Sequence, residues 1–297
     1  MQVAIIGGTG FVGAYLIDAL LGAGHSVATL VRPGSENKLH QAEKVRAVAG
    51  VLGDPAAIRE LLKDSDAVIY NVGILRESKS QGITFEAMQY EGAATTVDIA
   101  RELGVKRLLL MSANGVKDNG TPYQYTKYRA EQYALQSGLD VTVLRPSVIF
   151  GDPRGTMEFA TQLRNDMVRQ PVPAVDFGDV IMAPVAVEDV ASAFVAVLEK
   201  PDSFGKTYPL AGPEVLTWKQ MIARVGQAVG RDKWFVRMPI PLMKFSAMLF
   251  DWLPFFPVTR DQLTMLEEGN VADPAILESL TGIAPQSFSV ENLAYLK

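Results

Sequence analysis

Tyr123 and Lys127, in P-Y-Q-Y-T-K-Y-R-A-E, are the residues of this chain best placed to do chemistry. On a helix they lie one turn apart on one face. An ammonium beside a phenol favours phenolate, which lowers the phenol's pKa and makes it a usable proton donor and acceptor near neutral pH. Just upstream, Ser112-Ala113-Asn114-Gly115 follows the apolar run Lys106–Met111, where open α/β sheets place ligands. A second constellation opens the chain. Gly7-Gly8-Thr9-Gly10-Phe11-Val12-Gly13 follows the β-branched run Gln2–Ile6 and leads into Ala14–Leu21, whose apolar residues recur at helical spacing. Gly7 permits a sharp exit from a buried strand. Gly10 lacks a Cβ, so a pyrophosphate can lie against the backbone, and Gly13 lets helix and strand pack closely. The backbone of Thr9, Phe11 and Val12 lies between them, where free N–H groups and the positive helix end face phosphates. The expectation is a bound dinucleotide; the competing reading is a tight strand-to-helix turn without a ligand.

The elements that must position these residues follow in order. Ser26–Val31 reads as a second strand, and Arg32 stands at its end, where an acidic residue would bond an adenosine ribose. An arginine there pairs with a 2′-phosphate, so NADP(H) is preferred and NAD(H) remains possible. Val45–Val51 reads as a third strand. Asp54 then opens a helix running to Lys63, as an N-cap with Pro55 at the first helical position, as a partner of the adenine amine, or as both. Ala67–Tyr70 is a fourth strand ending in the turn Asn71-Val72-Gly73, placed to border the cofactor. Leu75–Gly82 reads as a polar loop, Thr84–Gly104 as one long helix, and Lys106–Met111 and Asp140–Leu144 as the fifth and sixth strands. This alternation predicts an α/β, Rossmann-like, doubly wound parallel sheet.

In the last third, Thr156–Arg169 reads as a helix and Val180–Val187 as a strand returning to the sheet. Glu188–Lys200 and the amphipathic Thr217–Val229 read as helices. Residues 1–155, with 180–200 returning to them, therefore make a nucleotide domain. Residues 156–179 and 201–297 make a smaller, mostly helical substrate or partner part, packed on it with the active site in the cleft. In Pro239–Pro257, Leu242, Phe245, Leu249 and Trp252 fall at helical spacing. They form either a helix packed on the substrate part or an exposed face that meets a membrane surface, a quinone-like substrate or a partner protein.

Composition narrows the classes. A chain of 297 residues, 48% hydrophobic and 21% charged, is globular, and its net charge of −5 argues against nucleic-acid binding. There is no cysteine, and the two histidines, His25 and His40, stand apart from any acidic cluster with ligand spacing, so no metal site is expected. The start is a strand pattern without a basic leader, and no apolar run is long enough to span a bilayer. The expected location is cytoplasmic, or peripheral at a membrane complex.

Taken together, G-G-T-G-F-V-G, the Asp54 turn, Tyr123-x-x-x-Lys127 with Glu131, and R-P-S-V-I-F-G at 145–151 resemble the extended or atypical short-chain dehydrogenase/reductases of the NAD(P)-dependent epimerase/dehydratase type. Pro184–Ala191 and Gly205–Leu210 are similar to that family too. Asn71–Glu77 with Thr84-Phe85-Glu86 resembles a narrower branch, that of the nucleotide-binding accessory subunit of respiratory complex I and its bacterial relatives. The resemblance implies that Gly7, Gly10 and Gly13 hold the pyrophosphate, Arg32 the 2′-phosphate and Asp54 the adenine. It makes Tyr123 the acid/base, lets Lys127 hold the nicotinamide ribose and tune Tyr123, and sets Pro146 beside the nicotinamide. One departure stands out. The family's catalytic Ser or Thr falls here on Asn114, which can donate a hydrogen bond to a substrate oxygen but cannot join a proton relay as a hydroxyl does; Ser112 substitutes if the loop shifts. Three readings follow: an oxidoreductase or epimerase acting on an unidentified carbonyl or alcohol, a non-catalytic NADPH-holding accessory or assembly protein, and a redox sensor.

Overall fold

In the computed structural model, which describes residues 1–243 and 259–297, β1 (Gln2–Ile6) lies within a seven-stranded parallel sheet. The other strands are β2 (Ser26–Val31), β3 (Val45–Ala49), β4 (Ala67–Tyr70), β5 (Arg107–Met111), β6 (Asp140–Pro146) and β7 (Lys206–Leu210), in spatial order β7-β6-β5-β4-β1-β2-β3. The order reverses between β1 and β4, which opens a crevice at their carboxyl ends. β1 shows why helices cover both faces. Val3 and Ile5 enter one apolar cluster with Ile17 and Leu20 of α1 (Phe11–Gly22). Ala4 and Ile6 enter the other with Ile58 and Leu61 of α2 (Pro55–Leu62), Val97 of α3 (Gly92–Leu103) and Ala134 of α4 (Pro122–Leu135). A strand buried on both sides cannot alternate polar with apolar, hence the unbroken V-A-I-I.

A third cluster forms the smaller part, joining Leu163 of α5 (Phe159–Leu163), Trp218 and Met221 of α7 (Trp218–Ala228), Leu263 and Leu266 of α8 (Arg260–Glu268), and Phe288. α6 (Val187–Leu198) returns to pack on α1, and α9 (Pro274–Thr281) packs on α6 and β7. Among the described residues no helix is long and apolar enough to cross a membrane.

Five expectations need correction. β3 stops at Ala49, two residues before Val51, and Gly50 passes so close to α2 that a Cβ there would lie 2.3 Å from Ala57 Cβ. Thr84–Gly104 is not one α-helix: Glu86–Glu91 is a π turn leading into α3. The wider turn lets buried Gln89 donate to Ile74 O at 3.0 Å and accept from Thr126 Oγ1 at 2.8 Å, while the Tyr70 hydroxyl donates to Met88 O. The helix expected over Thr156–Arg169 begins at Phe159, where the Glu158 carboxylate caps Ala160 N and Thr161 N, and it passes into a second π turn, Arg164–Val168. Val180–Val187 does not rejoin the sheet. Ile181–Met182 pairs with Leu216–Thr217, and Val185–Ala186 pairs with Ile149–Phe150. The sheet is completed instead by β7, from the part expected to lie outside the nucleotide domain.

Buried Arg107 helps tie β7's approach into the sheet. Its guanidinium donates to Val197 O and Leu198 O at the end of α6, to Asp140 O, and to the hydroxyls of Thr142 and Ser203. Of Pro239–Pro257, residues 244–257 lie outside the described residues, so the expectation for Phe245, Leu249 and Trp252 is left there; Ile240 is buried in the smaller cluster.

Candidate functional site

The glycine turn divides into residues needed for packing and one that leaves space. Gly7 has φ +99°, and a Cβ there would meet Asn71 O at 2.3 Å. At Gly13 a Cβ would lie 2.2 Å from Gly7 O, so the close approach of α1 to the turn requires glycine. Gly8, which sequence reasoning passed over, is also constrained: its Cβ would fall 2.3 Å from Thr29 Oγ1, a hydroxyl that donates to Ile5 O. A glycine between two glycines gives no sequence signal of such a contact. At Gly10 the nearest atom is Gly7 O at 3.5 Å, an ordinary contact. Gly10 is the N-cap of α1, and no side chain caps that helix end. The first N–H groups of α1, on Phe11, Val12 and Gly13, thus have neither an intrahelical acceptor nor a capping side chain, as an anion site requires.

Arg32 follows β2 and is exposed; among the described residues its side chain has no hydrogen-bond or ion-pair partner. Asp54 caps α2, accepting from Ala56 N at 2.9 Å, with Pro55 at the first position. Asn71 donates to Gly7 O at 3.4 Å, which joins the turn after β4 to the glycine turn.

α4 carries Tyr123 and Lys127. It begins with a capping box in which Thr121 and Gln124 satisfy each other's backbone N–H groups. Lys127, 5% exposed, donates to Val72 O at 3.3 Å and Met111 O at 3.2 Å, so its ammonium spans the carboxyl ends of β4 and β5. Gly73 lies against it; a Cβ there would sit 3.5 Å from Nζ. Burial pushes Lys127 down to about 8, with Glu131 opposing the shift. Tyr123 packs edge-on against Phe85, and Lys127 Nζ lies 5.9 Å from its ring centre. Burial pushes the phenol pKa up, contrary to the expectation that the lysine lowers it. At this separation desolvation of the phenolate outweighs the ammonium, so the phenol holds its proton at neutral pH.

Ser112 and Asn114 differ in how far their polar groups are already engaged. Ser112 is 4% exposed, and its Oγ is the one buried side-chain polar atom, among the described residues, without a hydrogen-bond partner. It lines a narrow crevice with Lys127, Gln89, Tyr70 and Val72. Asn114 N donates to Pro146 O, which sets buried Pro146 beside the loop. Its side-chain Nδ2, however, donates to Asn270 Oδ1 at 3.0 Å and Val271 O at 2.9 Å. Both amide hydrogens are thereby engaged within the protein, so donation to a substrate oxygen would require these bonds to be exchanged.

Asn270 belongs to a strap that sequence reasoning missed altogether. Its N–H donates to Ile181 O, its carbonyl accepts from Ala183 N and Ser147 Oγ, and Gly269 before it has φ +72°. Glu268 accepts from Lys117 Nζ at 2.6 Å and Gln124 Nε2 at 2.7 Å, and Gln262 reaches Leu75 O. α8 therefore bridges the loops that follow β4 and β5. No local pattern announces contacts between residues so far apart in the chain.

A family model described as NAD(P)H-binding matches residues 7–201. The chain is 26% identical over 280 residues to NADH dehydrogenase (ubiquinone) 1 alpha subcomplex subunit 9 of Arabidopsis thaliana, covering 90% of this chain and 68% of that one. It is 25% identical over 253 residues to ceramide reductase of Caulobacter vibrioides, covering 84% and 77%. The structure of UDP-glucuronic acid 4-epimerase from Bacillus cereus in complex with NAD superposes with a TM-score of 0.73 at 18% identity, covering 100% and 97%.

Proposed function

The chain belongs to the NAD(P)H-binding family, and from that premise we propose that it is an NADP(H)-dependent reductase of a carbonyl group, of the extended short-chain dehydrogenase/reductase type. The observation that carries the reading is Lys127, held by the carbonyls at the ends of β4 and β5, one helical turn from a phenol that keeps its proton. The open position at Gly10 and the uncapped start of α1 suit a pyrophosphate, with Thr9, Phe11, Val12 and Gly13 supplying backbone. Arg32, exposed and unpaired among the described residues, suits a 2′-phosphate. Asp54 keeps acceptor capacity for adenine beyond its capping bond, and Asn71, Val72, Gly73 and Pro146 border the nucleotide. When bound, NADPH supplies a hydride. Tyr123 gives its proton to the oxygen that gains negative charge, Lys127 stabilises the phenolate left behind, and Ser112 donates a hydrogen bond to the same oxygen.

A second reading, a protein that holds the cofactor without turnover as part of a larger assembly, draws on the spent donors of Asn114. It also draws on likeness to a protein named as a subunit of NADH dehydrogenase.

The test is titration with NADPH and NADH, followed by nicotinamide fluorescence and thermal stability. We expect NADPH to bind more tightly and Arg32→Ala to erase the difference. An unchanged ratio in Arg32→Ala refutes the 2′-phosphate assignment. Nucleotide released only on denaturation supports the second reading, and loss of carbonyl reduction in Tyr123→Phe supports the first.

A further inference from the structure

The smaller part carries a two-stranded parallel pair, Ala174–Asp176 with Phe235–Arg237. Phe235 packs on the apolar cluster, so its strand neighbours Trp234 and Val236 point away from it. Trp234 is 81% exposed, Val236 51% and Val172 59%. They belong to one fixed surface. Ala174 N donates to Trp234 O at 2.8 Å, and Lys233 Nζ donates to Gln170 O and Val172 O, both at 2.6 Å. Arg231 reaches Arg169 O at 3.4 Å, which brings the two guanidinium-bearing residues to the same turn.

The charge here runs against the rest of the molecule. Residues 169–176 and 231–237 hold four cations (Arg169, Arg231, Lys233, Arg237) and two carboxylates (Asp176, Asp232), in a chain whose net charge is −5. Among the described residues none of the four has a carboxylate within ion-pair distance. An indole with an apolar body and a polar edge suits the depth of lipid headgroups, and unpaired cations around it suit an anionic leaflet. Three apolar side chains are too few for the core of a stable protein interface, which buries on the order of 1,000 Å² or more.

We propose that the face made by Trp234, Val236 and Val172, ringed by Arg169, Arg231 and Lys233, docks on the surface of an anionic lipid bilayer. Trp234 enters the headgroup layer and the cations lie above lipid phosphates. The contact is peripheral, and salt weakens it.

Vesicle flotation of the full chain tests this, with phosphatidylcholine alone and with phosphatidylcholine–phosphatidylglycerol mixtures at low and high salt. The protein is expected to float with the anionic vesicles at low salt only. Arg169→Ala/Arg231→Ala should weaken partition roughly fivefold for each cation removed. Trp234→Ala should lose both affinity and the blue shift of indole emission on vesicle addition. All three side chains are exposed, so unchanged melting temperatures separate lost binding from lost folding. Failure to float with anionic vesicles overturns the proposal and leaves an acidic protein surface as the partner. Equal flotation with neutral vesicles also overturns it, as does parental binding by both variants, which would place the contact elsewhere in the chain. None of these outcomes depends on cofactor binding or turnover.

Discussion

The amide of Asn114 donates to the side chain of Asn270, 156 residues further along the chain, at 3.0 Å. The partner of its second hydrogen is the Val271 carbonyl, so neither amide hydrogen is left for a ligand. Asn114 acts as a strap residue that ties the loop after β5 to the end of α8. Removing it should free the strap. In Asn114→Ala the amides of Asn270 and Ala183, which bond across the Ile181–Ala183 segment, are expected to exchange with solvent about tenfold faster or more, two net hydrogen bonds being lost. Hydrogen–deuterium exchange resolved by residue gives the answer. Unchanged exchange together with a raised KM would instead return Asn114 to the substrate.

Gly10 and Gly13 should separate cleanly under the same substitution. Gly13→Ala drives a methyl to within 2.2 Å of Gly7 O, and overpacking of that kind costs about 1–3 kcal/mol or more. Gly10→Ala finds its nearest atom at 3.5 Å and a φ of −88° open to any residue, so stability should hold within about 1 kcal/mol. Nucleotide affinity should fall in Gly10→Ala all the same. Urea unfolding read beside NADPH titration makes the comparison, and full affinity in Gly10→Ala would show that no phosphate lies there.

Lys127 makes a pH prediction whose sign follows from its environment. Burial lowers it to about 8 from its ordinary 10.5. Between those values the unfolded chain holds the proton and the folded chain does not, so this group makes stability rise with pH. The slope reaches about 1.4 kcal/mol per pH unit. Below the folded value the buried charge is carried in full and the penalty stands. Lys127→Met removes the titration, so the stability of the native protein minus that of the variant should climb by ~3 kcal/mol across the window. A flat difference would mean that the ammonium is solvated.

Arg107 should be among the costliest polar residues to lose. It donates to three backbone carbonyls and two hydroxyls away from water, and burial lowers its guanidinium to about 10. Arg107→Met keeps most of the aliphatic volume but strands those acceptors. A loss of about 3–5 kcal/mol is expected, seen as a lower urea midpoint at unchanged m. A shift within about 0.5 kcal/mol would place the acceptors in contact with solvent.

The sequence by itself determined what depends on near neighbours in the chain. Gly7, Gly10 and Gly13 after V-A-I-I announced a strand, a turn and a helix, because β-branched runs, glycine dihedrals and helical spacing are local properties. The Tyr123/Lys127 pair was legible for the same reason, since one helical turn sets its geometry. Only the tertiary structure decided the rest. β7, and not Val180–Val187, is the strand that returns to the sheet, because pairing in a parallel sheet depends on crossover and packing and not on the strand's own pattern. The π turn at Glu86–Glu91 answers to Tyr70 and Thr126, which arrive from elsewhere in the chain to bond Met88 and Gln89. Spacing brought Tyr123 and Lys127 together, but burial set their protonation, and its effect on the phenol ran opposite to that expected of the pair. Asn114 looked like a donor awaiting a substrate until Asn270 and Val271 folded onto it. A residue's type states which bonds it can make, and the long-range fold decides which of them are already made.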